Sequence, residues 1–253
     1  TGVMLLSEIE TGFPIAVIDG TLCTQLRTAA VGCVAAKYLA PKKVETVGFI
    51  GAGEEARMHF TLLKHLFPSI RTCKVASRHS ATEDRFIAEF DKIIPDVHFI
   101  ACRGDNSQAV ADTDIIVTAI SGQAPVLKAR DVRAGMLYIH VGGWEDEYGV
   151  ALKADKIVCD DWNASKHRTQ TICRMYKEGL LKDKDIYADL AEIIAGQKKG
   201  RESDEEFIYF NSVGLSYIDL NFAHEIYREA SLLGLGRDIV LAESDRGAYR
   251  CFI

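Results

Sequence analysis

The stretch from Val44 to Ala56, VETVGFIGAGEEA, decides the fold of this 253-residue chain. β-forming residues run to Ile50, then Gly51 and Gly53 follow in a Gly-x-Gly-x-x-Ala pattern, and a helix-like sequence comes next. In such a turn the first glycine permits the tight bend, the second admits a pyrophosphate against the main chain, and the final small residue lets helix and strand pack closely. The helix N-terminus favours the diphosphate charge. Gly51, Gly53 and Ala56 therefore predict a dinucleotide site, against the alternative of a purely structural turn.

Strand-like and helix-like segments alternate after Val44, which is typical of βαβ units and a mainly parallel, doubly wound sheet of the Rossmann type. We therefore predict an α/β fold. The six strands that we expect lie at 44–50, 72–77, 97–101, 114–119, 136–141 and 156–160. A hairpin at 3–9 and 13–18 and a helix at 21–40 precede them, and a strand at 207–213 and a helix at 215–233 follow. A charged run at 198–206 is typical of a solvated loop between domains.

The composition excludes several classes of protein. A hydrophobic content of 48% suffices for a sizeable core, and a net charge of −6 argues against nucleic acid or an anionic membrane as the main partner. The sequence shows neither an apolar run of about 20 residues nor a signal-peptide pattern, so we expect a soluble cytoplasmic protein. The seven cysteines and seven histidines show no CxxC, HxxxH or HExxH spacing, which predicts reduced thiols and no metal site.

The end of the second predicted strand bears on the choice of cofactor. An NAD-specific fold places an Asp or Glu there to bind the ribose hydroxyls, whereas this chain has Ser77-Arg78. A hydroxyl and a guanidinium suit a 2′-phosphate, since Arg can donate two charge-assisted hydrogen bonds to it. The pair favours NADP(H) over the alternative that Arg78 is an exposed turn residue and the cofactor is NAD(H).

The fourth and fifth predicted strands end where a nicotinamide ring would lie. Thr118 lies near the end of the fourth strand, Ser121 follows that strand and Val141 ends the fifth, so we predict all three to contact the cofactor. Glu145 and Asp146 come next, and one of them could move a proton at an amine or imine nitrogen. The alternative is an ordinary acidic loop.

Two further positions could contact ligands. Arg27 lies in an Ala-rich helix of low charge, where it needs a partner: a substrate carboxylate, a cofactor phosphate or a structural Asp. Asn211 and Ser212 precede the last predicted helix and would either cap it or contact the nicotinamide amide, and Ser212 is our predicted cofactor residue.

Four segments in this order resemble the ornithine cyclodeaminase and mu-crystallin family: LRTAAVGCVAAKYLA (26–40), VETVGFIGAGEEA (44–56), DIIVTAISG (114–122) and FNSVGLSYIDLNFAHEIYREA (210–230). Within it, KADKIVCDDW (153–162) and GRESDEEFIYFNSVG (200–214) are most similar to the N-(amino-carboxyethyl)glutamate dehydrogenases, which form 2,3-diaminopropionate.

The resemblance implies a homodimer. It also implies a dinucleotide-binding domain at 41–200 inserted into a smaller, discontinuous α+β domain for substrate and dimerisation at 1–40 and 201–253. Arg27 would match the family arginine that binds substrate or cofactor, and Glu54 and Glu55 would join Gly51, Gly53, Ser77 and Thr118 around the cofactor. Family members carry several dozen residues ahead of the segment that matches Thr1, including a substrate-binding lysine, so we expect part of the substrate pocket to lie outside this sequence.

One departure from the family bears on the reaction. Its cyclodeaminases place a catalytic Asp in a Gly-Ala-Asp-like turn after the fifth strand, whereas this chain has Gly142-Gly143-Trp144 there. We therefore predict an NAD(P)-dependent oxidoreductase acting on a C–N bond of an amino acid or its imine, with Glu145, Asp146 and Arg27 as catalytic residues. The alternatives are an ornithine cyclodeaminase and a mu-crystallin-like protein that binds NADPH and a small ligand.

Overall fold

The computed structural model describes residues 2–244 and 247–252. Its strands are, in chain order, β1 (Val3–Ser7), β2 (Pro14–Asp19), β3 (Thr46–Ile50), β4 (Thr72–Ala76), β5 (His98–Ala101), β6 (Ile115–Thr118), β7 (Leu137–His140), β8 (Lys156–Cys159), β9 (Ala188–Asp189), β10 (Ile208–Asn211), β11 (Asp238–Ser244) and β12 (Gly247–Phe252). Its helices are α1 (Gly20–Leu39), α2 (Glu54–Leu66), α3 (Ser80–Phe90), α4 (Asn106–Val110), α5 (Tyr148–Leu152), α6 (Trp162–Ser165), α7 (Thr171–Lys177), α8 (Leu190–Ile194) and α9 (Ser216–Leu232), with a 3-10 turn at Asp183–Asp185.

Two compact units share the chain. The larger holds Thr28–Gly214, and the smaller joins Thr1–Arg27 to Leu215–Ile253. The sequence placed these changes after residues 40 and 200 instead. The difference arises because the second half of α1 packs in the core of the larger unit, and because Arg201 donates to the carbonyl oxygens of Leu39 (2.7 Å) and Met136 (3.1 Å). The charged run near residue 200 is thus anchored to the larger unit.

The larger unit is built on an eight-stranded sheet in the order β5-β4-β3-β6-β7-β10-β8-β9, and every neighbouring pair is parallel. All six strands predicted for the nucleotide fold are present, which confirms the α/β class. The strand expected at 207–213 forms as β10, but it lies inside this sheet between β7 and β8. The registers pair the last residues of neighbouring strands, so their carboxyl ends form one level edge; these residues are Ala76, Ile50, Thr118, His140, Asn211 and Cys159.

Both faces of this sheet are covered, as a parallel sheet requires. Alternate residues point to opposite faces. On one face Phe49 packs with Phe60 of α2 and Phe86 of α3, and on the other Tyr138 and Tyr209 pack edge to face with ring centroids 4.9 Å apart. The near-continuous burial of the central strands explains their apolar sequences.

The smaller unit has its own sheet, in the order β1-β2-β12-β11. β1 and β2 form the predicted antiparallel hairpin, with Leu5 opposite Val17. Leu6, Ala16 and Ala223 of α9 form a small buried apolar cluster in this unit. This small core explains why much of the unit's apolar surface, including Tyr217 and Leu220 of α9, is exposed.

Candidate functional site

The turn between β3 and α2 has the geometry of a diphosphate cradle. Gly51 has φ +108°, and a Cβ there would lie 2.3 Å from the Ala119 carbonyl oxygen, so a side chain is excluded. Gly53 is the N-cap of α2, and a Cβ built on it meets no atom within 4 Å. As glycine offers no capping side chain, the first amides of α2 are left to bind an anion. Ala56 is fully buried, which allows the close packing that the sequence predicted.

The two glutamates of this turn lie in the first turn of α2. Glu54 forms an ion pair with Arg57, whose Nε is also 3.1 Å from Glu89 Oε2. The Glu54 carboxylate is thereby partly neutralised beside the amides of the helix start. A cofactor contact by Glu54 or Glu55 remains a prediction.

A buried glutamate that the sequence analysis missed organises the next part of the edge. Glu83 is fully buried, and its carboxylate accepts from the backbone amides of Ser77 (2.8 Å), Arg103 (2.7 Å) and Gly104 (2.9 Å). It therefore joins the loop after β4 to the loop after β5. Arg103 has φ +53°, a conformation that costs energy for a residue other than glycine and is concentrated at functional sites.

The Ser77-Arg78 pair lies at this joined position. The Ser77 hydroxyl donates to the carbonyl oxygen of His79 at 2.8 Å, and Arg78 is exposed just beyond the end of β4. Among the described residues, no free carboxylate takes the place of the missing Asp or Glu at the end of β4. The nearest acids in sequence are Glu83, which accepts from backbone amides, and Asp84, which pairs with Arg103. The site is open to a ribose hydroxyl or a 2′-phosphate.

Glu145 occupies a different position from the one predicted for a proton shuttle. Its side chain is fully buried, and its two oxygens accept from the Thr118 hydroxyl (2.7 Å) and from the amides of Ile120 (2.6 Å) and Gly142 (2.9 Å). The hydroxyl of Thr118 is likewise fully buried and also contacts Tyr138 at 2.8 Å. The Thr118 hydroxyl is thus occupied inside the protein, and a contact of Thr118 with the cofactor stays a prediction.

Asp146 lies in a buried polar cluster. Its Oδ1 accepts from Thr171 (2.7 Å), Tyr209 (3.1 Å) and Tyr138 (3.3 Å), and burial raises the pKa of its carboxyl group. Because neither Glu145 nor Asp146 reaches the surface, neither can contact a substrate in this structure. Their assignment as catalytic acids stays a prediction, which this burial disfavours: residue order placed them in a loop, and that loop folds its carboxylates inward.

His140 links this cluster to β10. Its Nδ1 lies 2.9 Å from Asn211 Oδ1 and 3.1 Å from the Tyr209 hydroxyl, and its Nε2 is 3.4 Å from Glu145 Oε2. Asn211 therefore binds a histidine, and the N-cap of α9 is Leu215, so the capping alternative for Asn211 and Ser212 is wrong. Ser212 is nearly fully buried and its amide donates to the His140 carbonyl oxygen at 2.9 Å.

Ser121 and Val141, two further predicted cofactor contacts, lie at the same carboxyl edge of the sheet. Ser121 is exposed after β6, and the Val141 amide donates to the Thr118 carbonyl oxygen at 3.2 Å. Asp160, after β8, accepts from the amides of Val213 (2.7 Å) and Gly214 (2.9 Å) and thus fixes the chain after β10. Sequence reasoning missed Asp160, although an Asp directly after a buried strand was a usable signal.

Arg27 belongs to the smaller unit and has a structural partner there. Its Nε donates to Asp219 Oδ1 of α9 at 2.5 Å, and the Arg27 side chain is 13% exposed. This is the structural Asp that the sequence left open as one of three partners. A role of Arg27 with substrate stays a prediction.

At the turn where a catalytic Asp was considered, Trp144 takes its place. The Arg174 guanidinium lies over the Trp144 ring, 4.7 Å from its centroid. An indole N–H donates hydrogen bonds but does not exchange protons as a carboxyl group does. The Gly142-Gly143-Trp144 turn therefore has no acid at this position; the exposed acid next along the chain is Glu147, whose carboxylate accepts from the Ala129 amide at 2.9 Å.

The level edge, the glycine turn and the open N-terminus of α2 define a dinucleotide-binding protein of the doubly wound class. The model of the ornithine cyclodeaminase/mu-crystallin family matches residues 1–232, so the chain belongs to that family.

Three relatives illustrate the match. N-((2S)-2-amino-2-carboxyethyl)-L-glutamate dehydrogenase of Staphylococcus aureus is 29% identical over 241 residues, which cover 95% of this chain and 71% of that protein. The structure of Thermococcus litoralis Δ1-pyrroline-2-carboxylate reductase with NADH and L-proline has a TM-score of 0.86 and 32% identity, covering 93% and 73% of the two chains. An archaeal alanine dehydrogenase dimer with bound NAD also has a TM-score of 0.86 and 32% identity, covering 95% and 74%.

The described part of the chain contains neither a candidate membrane span nor a candidate metal cluster. None of its helices combines the length and apolar character needed to cross a bilayer. Its His, Cys, Asp and Glu side chains form no group of three that would hold a metal ion.

Proposed function

We propose that this protein is an NAD(P)-dependent oxidoreductase that acts on the C–N bond of an amino acid or its imine. The observation that carries the proposal is the Gly53 N-cap, which has open space beside it on the level edge of the sheet. The relatives that match most of this chain are named as dehydrogenases and reductases of amino acids or imines. We infer the same class of reaction here.

Different segments along the carboxyl edge of the sheet would bind different parts of the cofactor. A bound nicotinamide dinucleotide would supply or accept the hydride at the substrate α-carbon. The first amides of α2 would hold its diphosphate, the Ser77-Arg78 loop its adenosine ribose, and the loops after β6 and β7 would position its nicotinamide end. Oxidation of the amine gives an imine that water or an internal amine attacks, and the reverse reaction reduces a ketimine.

Proton transfer is assigned to solvent or to groups other than Glu145 and Asp146. This assignment is supported by the full burial of both carboxylates, which disfavours direct contact with the reacting nitrogen. The Trp144 turn also disfavours the cyclodeaminase alternative, because that reaction requires an acid at this position in the family. The proposal thus favours a net dehydrogenase or reductase.

Turnover assays with the purified chain test this function. NADH or NADPH is mixed with Δ1-pyrroline-2-carboxylate, and NAD⁺ or NADP⁺ with L-alanine, L-ornithine or N-(2-amino-2-carboxyethyl)-glutamate. A stoichiometric change in reduced nicotinamide with at least one of them is expected. Ammonia release from ornithine without such a change would instead indicate a cyclodeaminase, and cofactor binding without any turnover would indicate a binding protein.

For the cofactor we propose NADP(H) over NAD(H). The proposal rests on the exposed Arg78 and on the occupied carboxylates near it. The two relatives with solved structures were crystallised with NADH or NAD, so this preference would distinguish the chain from them.

We propose a homodimer in a reducing compartment such as the cytoplasm. The archaeal alanine dehydrogenase is a dimer, and α9 of this chain exposes 55% of Tyr217 and 58% of Leu220, which suits a covered surface. Among the cysteines whose burial the structure describes, six are buried free thiols. Light scattering of the purified protein would measure the mass, with twice the chain mass of 28.0 kDa expected.

A further inference from the structure

We infer that Glu145 is a positioning residue that holds together the two loops on which the nicotinamide end of the cofactor would rest. The inference builds on the proposed function but assigns Glu145 a task other than proton transfer. It acts through the loops and touches neither substrate nor cofactor.

The hydrogen bonds of the carboxylate carry the inference. One oxygen accepts from the Ile120 amide at 2.6 Å, and the other accepts from the Thr118 hydroxyl at 2.7 Å and the Gly142 amide at 2.9 Å. Thr118 and Ile120 belong to the end of β6 and its loop, and Gly142 to the loop after β7. A single buried group thus fixes the distance between two neighbouring loops.

The fit around Gly142 shows that the arrangement is tight. A Cβ on Gly142 would lie 2.3 Å from Glu145 Oε1 and 2.8 Å from the Ile120 carbonyl oxygen, and one on Gly143 would lie 2.2 Å from Gln123 Nε2. Only glycine permits this approach of the two loops. The main chain of Glu145 is also fixed, because its carbonyl oxygen accepts from the amides of Val126 (2.7 Å) and Leu127 (3.0 Å).

Two other buried carboxylates along this edge also accept from the backbone amides of loops, as Glu145 does. Glu83 joins the loops after β4 and β5, and Asp160 joins the segments after β8 and β10. Each carboxylate links two strands that are neighbours in the sheet. On either side of β3, backbone hydrogen bonds make the link instead: the Gly51 amide donates to Ala76 O at 2.8 Å and the Ala119 amide to Ile50 O at 3.0 Å. The diphosphate turn is therefore flanked by carboxylate-linked loops on both sides.

This geometry separates two halves of the cofactor site. Glu83 would order the adenosine half and Glu145 the nicotinamide half. A carboxylate whose partners are main-chain amides loses part of its hydrogen bonding when it becomes an amide, because one side-chain oxygen is replaced by a donor. Misplacement of a bound ring by about 1 Å can slow a reaction about 100-fold.

The experiment compares Glu145→Gln with Glu83→Gln. Calorimetry measures the affinities for NADH and NADPH and for ADP-ribose, which lacks the nicotinamide, and single-turnover kinetics measure hydride transfer. For Glu145→Gln we expect ADP-ribose affinity within about twofold of the parent, weaker binding of the reduced cofactor and a hydride-transfer rate about 100-fold lower. For Glu83→Gln we expect ADP-ribose and reduced cofactor to lose affinity together.

The following results would overturn or support the proposed positioning role of Glu145. Equal losses of ADP-ribose and reduced-cofactor affinity in Glu145→Gln, or an unchanged hydride-transfer rate, would overturn the inference. If Glu145→Gln does not fold, Thr118→Val removes one donor to the carboxylate at constant volume and Thr118→Ser retains it; the inference requires slower hydride transfer in the first and recovery in the second. Failure of the parent protein to bind any of these nucleotides would instead refute the proposed function.

Discussion

Gly51 and Gly53 are both glycines of one turn, but the structure requires them for different reasons. Gly51 has a positive φ and a Cβ on it would clash with the Ala119 carbonyl oxygen, so its lack of a side chain serves the fold. Gly53 has φ −82° and open space beside it, so the fold does not require a glycine there. Its lack of a side chain instead leaves room for the proposed cofactor diphosphate. The two substitutions are therefore expected to have different consequences.

We predict that Gly51→Ala lowers the free energy of unfolding by about 1–3 kcal/mol, because the new Cβ meets backbone and the φ angle is strained. Gly53→Ala should change stability by less than about 1 kcal/mol but weaken NADH binding, since the methyl group would fill the cradle. Urea unfolding and calorimetry measure the two effects. Equal destabilisation by both substitutions would contradict this distinction.

Arg78 gives a prediction about cofactor choice. Arg78→Ala should weaken NADPH binding about tenfold or more and NADH binding by less than about twofold, since only NADPH carries the 2′-phosphate that a guanidinium binds. Arg71→Ala is the matched control, because Arg71 is also exposed but lies at the opposite end of β4. Equal losses for the two cofactors would remove the case for NADP(H).

His59 gives a prediction about pH. It is fully buried on α2, its Nδ1 lies 2.7 Å from the Glu55 carbonyl oxygen, and burial lowers its pKa to about 4. The unfolded chain binds a proton at this residue below about pH 6.5, whereas the folded chain does so only near pH 4, so stability falls as the pH drops through that range. The maximum loss is about 3 kcal/mol.

The test is urea unfolding of the parent and of His59→Gln at pH 7, 6, 5 and 4. All other titrating groups are common to both proteins, so the parent should lose more stability than the variant over this range. Parallel pH profiles would show that His59 does not couple folding to protonation.

At the scale of elements, the core between α2, α3 and the sheet depends on an aromatic cluster. Phe60 of α2 lies 4.8 Å from Phe90 and 5.3 Å from Phe99 between ring centroids, and it also contacts Phe49 and Phe86. The cluster joins both helices to β3 and β5. It therefore supports the strand and the helix that form the diphosphate turn.

We predict that Phe60→Ala destabilises the protein by about 3–5 kcal/mol, because it leaves a cavity at the centre of this cluster. Ile93→Ala is the control: Ile93 is 70% exposed, so its replacement should cost less than about 0.5 kcal/mol. Chemical denaturation measures both values. A cost below about 1 kcal/mol for Phe60→Ala would contradict the packing.

The elements that the sequence predicted are those with local signals. The six strands of the nucleotide fold, the hairpin of β1 and β2 and the helices α1 and α9 follow from apolar periodicity and turn residues in short windows. β10 was predicted as a strand but its place was not, since its pairing with β7 joins residues 137–140 to 208–211, far apart in the chain. No local pattern encodes such a neighbour.

The residues of the candidate site also divide into those that a local sequence pattern reveals and those that it does not. Gly51, Gly53 and Ala56 could be found because their spacing has one physical explanation. Glu145 and Asp146 were expected to face a substrate, and the structure buries both, because their orientation depends on amides and hydroxyls contributed by β6, β10 and α7. Glu83 lies within α3, where no sequence pattern marks it, whereas Asp160 directly follows β8 and could have been found by that position.

At the scale of the whole molecule, the larger unit contains an edge where six strands end level and where three buried carboxylates fix the loops. Such an edge suits a preorganised cofactor site, because little ordering remains to be done on binding. Family membership is consistent with this reading, and the dehydrogenases and reductases among the relatives give it a reaction class.

The most direct test is a crystal structure of the protein grown with NADH or NADPH. We predict that the diphosphate lies against Gly53 and the first amides of α2, with the nicotinamide end beside the loops after β6 and β7. A nucleotide bound elsewhere, or crystals in which this turn stays empty at saturating nucleotide, would contradict this placement of the cofactor.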